Sequence, residues 1–173
     1  MALITEDGTG KTDAESYISV TDADTYFSNR GNAAWAALNT AAKEAALRKA
    51  TDYMAARYEM AWAGLRKTST QALDWPRYYA PRRDVVGGYR CLPLYHSDTI
   101  VPVGVQRACA ELAVRASADD LSPDVGAQVK SETVGPISVV YADGARQDTR
   151  FALVDSMLVA YLKGAGQIPV VRA

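Results

Sequence analysis

Hydrophobic residues recur at three- and four-residue steps between Thr40 and Trp62, which predicts a long amphipathic helix over this range. Its apolar stripe consists of Leu47, Ala50, Met54, Ala61 and Trp62. Asn39 or Thr40 can cap the first turn, and Gly64 follows the last turn, where a left-handed residue is common. Because an apolar stripe must be covered, we expect other elements to pack on this helix.

Similar patterns elsewhere predict a small helical bundle with a β-hairpin. Further helices are predicted at Ala23–Asn29, Ala33–Leu38, Val103–Ala118 and Arg150–Lys163. β-Branched residues on both sides of Gly135-Pro136 predict two strands, Ala127–Val134 and Ile137–Tyr141. The predicted fold class is therefore α+β, mainly α, with three to four main helices and extended N- and C-terminal arms.

The chain length of 173 residues fits a single domain covering residues 1–173. Its parts are an N-terminal arm at 1–16, a long loop at 77–100, the hairpin at 127–141 and a C-terminal tail at 164–173. The arm is acidic and predicts a short strand, Ala2–Thr5, followed by a mobile loop. Prolines and a glycine pair predict an irregular span over Leu65–Ile100, which Leu73 and Trp75 attach to the core.

Composition narrows the possible classes of protein only slightly. A net charge of −1 and a hydrophobic fraction of 49% exclude a disordered or strongly basic chain. Two cysteines and one histidine are too few for a disulfide scaffold or a four-ligand Cys/His zinc site, which favours a reducing cytosol. The first residues show no cationic stretch followed by an apolar run, so we expect neither secretion nor membrane insertion.

Three arrangements resemble catalytic or ligand sites without meeting their requirements. Gly8–Thr12 ends like a phosphate-binding loop, but Thr5 stands where the pattern requires a glycine. His96 lies in the tyrosine- and proline-rich loop with Cys91 nearby, yet no nucleophile motif accompanies it. Cys91, His96 and Asp98 also match no established zinc spacing. We therefore expect no enzymatic activity, no cofactor and no bound metal.

Arginines and tyrosines concentrate in the long loop and make it the first candidate for partner binding. The candidate residues there are Arg77, Tyr78, Arg82, Arg83, Tyr89 and Arg90. This mixture suits single-stranded nucleic acid, in which arginine contacts phosphate and tyrosine stacks on bases. It equally suits a protein interface, or an ordinary solvated loop. The slightly negative net charge favours a protein partner over nucleic acid.

The two ends of the chain add further candidate contacts with other molecules. The tail residues Ile168, Val170, Val171 and Arg172 are expected to add as a strand to a neighbouring molecule. The acidic N-terminal segment complements the basic loop in charge, so one copy's loop can meet the next copy's N-terminus. Repeated head to tail, this contact predicts a ring of identical subunits.

Several motifs follow one another in a recognisable order. They are ESYISVTDADTYF at 15–27, RG and W at 30, 31 and 35, KEAALRKATDYM at 43–54, LDWPR at 73–77, IVPVGVQRACAELA at 100–113 and VGPISVVY at 134–141. In this order they resemble tailed-phage head-tail connector proteins, also called adaptor or head-completion proteins. The resemblance spans residues 15–162. Relatives of the sequence are also labelled DnaT-like single-stranded DNA-binding proteins, which makes such binding the alternative function.

The connector resemblance implies a ring, typically of twelve copies, beneath the portal at the capsid vertex of a phage. Such a ring binds the portal above and the tail or a stopper below, and it continues the channel for packaged DNA. The expected partners are therefore other copies of the chain, the portal protein, a tail, stopper or tail-terminator protein and the DNA itself. The expected location is the neck of the virion, and the host cytoplasm during assembly.

Overall fold

The computed structural model describes residues 2–87, 92–124, 131–134, 137–140 and 149–164. Its α-helices are α1 Val20–Ser28, α2 Ala33–Ala36, α3 Thr40–Tyr58, α4 Val103–Ala116 and α5 Ala152–Leu158. Its strands are β1 Leu65–Arg66, β2 Arg77–Tyr78, β3 Pro81–Gly87, β4 Leu92–Tyr95, β5 Ser131–Val134 and β6 Ile137–Val140. Two 3₁₀ turns, Glu59–Ala61 and Val159–Tyr161, follow α3 and α5. The predicted α+β class, mainly helical, is confirmed.

Helix α3 forms where the apolar stripe predicts it and supplies the centre of the core. The Asn39 side chain caps it by accepting a 2.9 Å hydrogen bond from the Ala42 N–H. The regular helix ends at Tyr58, and the 3₁₀ turn that follows extends almost to the predicted end at Trp62. The residues that α3 buries are Ala46, Leu47, Ala50, Thr51, Met54 and Tyr58.

Helix α4 packs on α3 through a face of small residues. Ala108, Cys109 and Ala113 are fully buried, which allows the two helices to approach closely. The Cys109 Sγ lies 3.4 Å from Oγ1 of Thr51 on α3. Helix α5 also packs on α4, with Leu158 fully buried. These three helices form the predicted bundle.

Helix α5 is shorter than its predicted range, Arg150–Lys163, because its C-terminal end pairs with the chain that follows α3. The Ala63 N–H donates a 2.9 Å hydrogen bond to the Tyr161 carbonyl, and the Lys163 N–H donates one of 2.7 Å to the Ala61 carbonyl. Backbone groups paired across two segments in this way are not available for helical bonds. The helix therefore ends, and the two segments hold each other in place.

Helix α1 begins at Val20 rather than at the predicted Ala23 because Ser19 caps it. The Ser19 hydroxyl accepts a 3.1 Å hydrogen bond from the Asp22 N–H and donates one of 2.6 Å to the Asp22 carboxylate. The helix packs against α2, α3 and α4. It thereby covers one end of the bundle.

The span predicted as irregular, Leu65–Ile100, contains two antiparallel strand pairs. Strand β1 pairs with β2, and Leu65 lies opposite Tyr78. Strand β3 pairs with β4, with Pro81 opposite Tyr95 and a bulge that interrupts the register. Strands this short and irregular leave little alternation of polar and apolar residues in the sequence. The prediction of a long irregular loop is therefore wrong for the described part of this span.

The N-terminal residues form a fixed loop around Glu6, whereas the sequence predicts a mobile acidic segment. The Glu6 residue is 3% exposed. Its carboxylate accepts hydrogen bonds of 2.8–2.9 Å from the N–H groups of Gly8, Gly10 and Lys11. A buried carboxylate needs several donors, and here the backbone of its own loop supplies them. The predicted strand Ala2–Thr5 is reduced to a single parallel bridge.

The hairpin predicted within residues 127–141 is confirmed for its described part. Strands β5 and β6 are antiparallel, with Ser131 opposite Val140 and Val134 opposite Ile137. The remaining residues of that range, and the C-terminal tail beyond residue 164, lie outside the described residues. No helix within the described ranges combines the length and the apolar character that crossing a bilayer requires.

Candidate functional site

The LDWPR segment, Leu73–Arg77, is buried and supports the residues that follow it. The Asp74 carboxylate accepts hydrogen bonds of 3.0 Å from Trp62 Nε1 and 2.8 Å from an Nη of Arg66. The Asp74 N–H donates a 3.0 Å hydrogen bond to the Tyr17 hydroxyl. Burial raises the pKa of Tyr17, and the nearby carboxylate raises it further. The phenol therefore stays protonated, and this polar network attaches the LDWPR segment to the core.

Arg77 is buried and bonded within the chain, so its position does not fit the partner-binding role expected from the sequence. Its guanidinium group donates hydrogen bonds of 2.8, 2.9 and 3.1 Å to the carbonyl oxygens of Ala63, Gly64 and Asp74. Burial lowers the pKa of Arg77, although the Asp74 carboxylate opposes this effect. Arg77 acts as a clamp that holds β2 against the chain following α3.

A tight turn at Tyr78–Ala80 directs Tyr79 away from the core. Tyr79 has a φ angle of 57°, in the left-handed region. Ala80 is fully buried, and its carbonyl accepts a 2.8 Å hydrogen bond from the His96 N–H. On the other side, Gly64 approaches the turn so closely that any Cβ there would collide with its backbone. The turn is therefore fixed by its neighbours on both sides.

Three tyrosines contact one another beside this turn, and we call Tyr78, Tyr79 and Tyr95 the tyrosine surface. They are 41%, 66% and 46% exposed, respectively. The ring centroids of Tyr78 and Tyr79 are 6.2 Å apart, and those of Tyr79 and Tyr95 are 5.7 Å apart. Leu65 and Leu94 add exposed apolar area next to these strands. Contiguous exposed apolar area is typical of a binding surface.

Arginines at the tyrosine surface differ in how firmly they are held. Arg83 donates a 2.9 Å hydrogen bond to the Leu162 carbonyl. Arg66 is held by the buried carboxylate described above. The Arg82 side chain is 45% exposed, and its ion pair with Asp84 is long, at 3.8 Å. Of these three arginines, Arg82 is the freest to contact an anionic partner.

The structure brings together some of the candidate residues and adds others. Of the candidates, Tyr78 belongs to this surface, and Arg82 and Arg83 lie on β3, the strand paired with the one that carries Tyr95. Tyr79 and Tyr95 are further members that were not among the candidate residues. The remaining candidates, Tyr89, Arg90, Ile168, Val170, Val171 and Arg172, lie outside the described residues. Alternation of side chains along β4 was the available signal for Tyr95, but this strand is too short for it to be read. Tyr79 follows the end of β2, and its position in the turn has no such signal.

His96 directly follows Tyr95, and its side chain lies among aromatic rings. Its ring centroid is 5.0 Å from that of Tyr161 and 6.2 Å from that of Trp75. Burial lowers the pKa of His96, and the positive charge of Arg82 lowers it further. At neutral pH the imidazole is uncharged and packs as an aromatic group. Among the described residues, no cluster of three or more His, Cys, Asp or Glu side chains could hold a metal ion.

Several acids of the N-terminal segment are paired within the chain, although the sequence predicts that they contact the basic loop of a neighbouring copy. Its first acid is buried in its own loop. Asp7 accepts a 2.6 Å hydrogen bond from the Thr9 hydroxyl and pairs with Lys11 at 3.0 Å; these contacts lower the pKa of Asp7 to about 2. Glu15 pairs with Arg48 of α3 at 2.9 Å. These pairings stabilise local structure within one chain.

Comparison with protein families adds a finding that covers the whole chain. A family model described as "Putative DnaT-like ssDNA binding protein" matches residues 1–173. The chain belongs to this family. No curated protein and no solved structure gives a significant match to the chain. The family description agrees with the alternative function drawn from the sequence, and the comparisons supply no support for the connector identity.

In this DnaT-like family member, the motifs that resemble connector proteins contribute mainly to the core. The larger apolar residues of those motifs with 0–2% exposure include Tyr17, Phe27, Trp35, Leu47, Met54, Trp75, Val105 and Leu112. Side chains at such positions determine packing, so the resemblance they carry is one of fold. A shared fold does not by itself establish a shared function.

Proposed function

We propose that this chain binds single-stranded DNA through the tyrosine surface and Arg82. The observation that supports this function most strongly is the contact among three exposed aromatic rings at the turn after β2 and the end of β4. Membership of a family whose description names single-stranded DNA binding supports the same function. The buried LDWPR segment, Leu73–Arg77, holds this surface in place.

Stacking supplies most of the affinity in this proposal. Each base that stacks on an aromatic side chain contributes about 1–3 kcal/mol, and the sequence of bases matters little because every base has a flat face. Arg82 adds a charged donor for a phosphate oxygen. With a net charge of −1, the chain gains little long-range attraction for DNA. Binding should therefore depend only weakly on salt concentration.

Fluorescence anisotropy with a labelled oligothymidine tests the proposal directly. The wild-type chain should bind, and Tyr95→Ala should weaken binding by about 5-fold or more. Arg82→Ala should weaken binding and lower the slope of log K against log salt by about 0.7, the value for one phosphate contact on a single strand. Arg30→Ala removes the same charge just after α1 and should leave binding unchanged. Absence of wild-type binding at low salt contradicts the proposal.

A head-tail connector ring is the second candidate function. The order of motifs along the chain supports it, and so do the strand pairs β3–β4 and β5–β6, which supplement the helical bundle and can contact neighbouring molecules. Its partners would be other copies of the chain, the portal, the tail or stopper protein and the packaged DNA. In this setting the tyrosine surface, with Arg82 and Arg83, would face another subunit.

Electron microscopy with and without the portal protein distinguishes the two candidates. Rings on the portal support the connector, whereas monomers in the presence of the portal contradict it. Deletion of Gln167–Ala173 should leave a folded protein that no longer joins the ring, because this tail is expected to pair with a neighbour. The double change Arg82→Ala with Arg83→Ala should weaken assembly and lower its sensitivity to salt.

A further inference from the structure

Tyr79 holds a backbone conformation that its own side chain does not favour. Its φ angle of 57° lies in a region that bulky residues rarely adopt. Its ring is 66% exposed, compared with 41% for Tyr78 and 46% for Tyr95. Burial of the ring therefore does not compensate for the strain in the backbone.

The neighbours of Tyr79, rather than its side chain, determine the shape of the turn. Ala80 is fully buried and accepts the hydrogen bond from the His96 N–H. Gly64 lies against the backbone of the turn on the opposite side. A glycine at position 79 would adopt the same conformation without strain. A tyrosine thus occupies a position where the local structure favours glycine.

We propose that Tyr79 is the residue on which an unpaired base stacks, and that the strained turn presents its ring in a fixed orientation. This inference rests on the proposed function and assigns its principal contact. Strained residues persist where the surrounding structure determines them fully, and they cluster at ligand-binding sites. A ring that is already fixed in place loses little conformational freedom when the ligand binds.

The surroundings of the Tyr79 ring favour a single strand over a duplex. The Tyr95 ring meets it at 83°, so at least one face of the Tyr79 ring is not covered by Tyr95. A base inside a duplex is stacked on both faces, and only an unpaired base can turn towards a protruding ring. Arg82 lies on β3 opposite Leu94, the residue before Tyr95, and its side chain is 45% exposed. It is the charged donor that the proposal assigns to the phosphate of a stacked nucleotide.

Two substitutions at position 79 separate strain from binding. Tyr79→Gly should leave the Tm unchanged or raise it by about 2 °C, because relief of the strain offsets the greater freedom of glycine in the unfolded chain. The same variant should bind the oligothymidine about 5- to 100-fold more weakly, because one stacking contact is lost. Tyr79→Phe keeps the ring and should bind as the wild type does. The wild type should bind the single strand in preference to a duplex of the same sequence.

Each contrary result has a distinct meaning. Wild-type binding that is unchanged in Tyr79→Gly overturns this inference and leaves the proposed function standing. No binding by the wild type overturns the proposed function itself. A marked fall in the Tm of Tyr79→Gly refutes the assignment of strain, and equal affinity for the duplex refutes the preference for unpaired bases. If the wild type self-associates without binding DNA and Tyr79→Gly no longer self-associates, the Tyr79 side chain belongs to a protein interface and the proposal is overturned.

Discussion

A Cβ atom on Gly64 would lie 2.2 Å from the carbonyl oxygen of Tyr78. Gly31 has a similar φ angle, 64° compared with 75°, but no atom lies within 4 Å of a Cβ built on it. Gly64→Ala should therefore lower the free energy of unfolding by about 3–5 kcal/mol, through both backbone strain and collision. Gly31→Ala should lower it by about 1 kcal/mol, through strain alone. Urea denaturation measures both values, and equal losses would show that the close approach at Gly64 is unimportant.

Asp74 is the hydrogen-bond acceptor that holds together the buried LDWPR segment beneath the tyrosine surface. Asp74→Ala leaves Trp62 Nε1 without an acceptor and the Arg66 guanidinium without its buried partner. We expect a loss of about 3–5 kcal/mol in the free energy of unfolding. Asp74→Asn should lose less, because its side-chain oxygen can still accept from Trp62. Asp84→Asn removes an exposed charge and serves as the control, since it should unfold at nearly the wild-type urea concentration.

Glu6 should be the residue that fixes the N-terminal loop. In Glu6→Ala the N–H groups of Gly8, Gly10 and Lys11 lose their shared acceptor, which should cost about 2–3 kcal/mol of stability. Hydrogen exchange at these three amides should accelerate well beyond the change in global stability. Asp7→Asn alters the neighbouring exposed acid and should leave exchange at Gly10 and Lys11 slow. Slow exchange in Glu6→Ala would mean that other contacts hold the loop.

His96 should make stability depend on pH below neutrality. Folding lowers the pKa of His96 from its ordinary value of 6.5, so the unfolded chain takes up the proton first as the pH falls. The contribution of the neutral ring is complete above 6.5 and begins to be lost at this value; the loss is complete once the pH has fallen below the lower pKa of the folded state. The free energy of unfolding should therefore decrease as the pH falls from about 6.5 towards that lower pKa, and this decrease should be smaller in His96→Gln. Parallel curves for the two proteins would contradict this role.

Helices α3 and α4 could be predicted from the sequence because each buries one continuous stripe of apolar side chains. The short strands could not, because their pairing depends on contacts between distant residues. Strand β2 is held by Arg77, whose side chain reaches the carbonyl groups of Ala63 and Gly64. Nothing in a local pattern shows that an arginine is buried. The true start of α1 was missed although its signal is local, since Ser19 and Asp22, three residues apart, cap each other through side-chain bonds.

The candidate site was predictable in composition and not in geometry. The sequence places arginines and tyrosines together, but it does not show that Arg77 turns inward while Tyr79 turns outward. That difference arises from the close approach of Gly64 and from the burial of Ala80. Both are long-range packing effects. The choice of Arg82 as the freest of the three arginines likewise required the hydrogen bond from Arg83 to the Leu162 carbonyl.

The loop around Glu6 bears on how nucleotide-binding sequences are recognised. A pattern of glycines followed by lysine and threonine describes a backbone that can surround an oxyanion, yet it does not specify which oxyanion. Here Glu6, two residues before Gly8, supplies both oxygens that accept hydrogen bonds from the N–H groups of Gly8, Gly10 and Lys11. The full pattern already rejects this loop because Thr5 replaces a required glycine; a search relaxed to the later glycines, lysine and threonine would need to examine the residues upstream for such an acid.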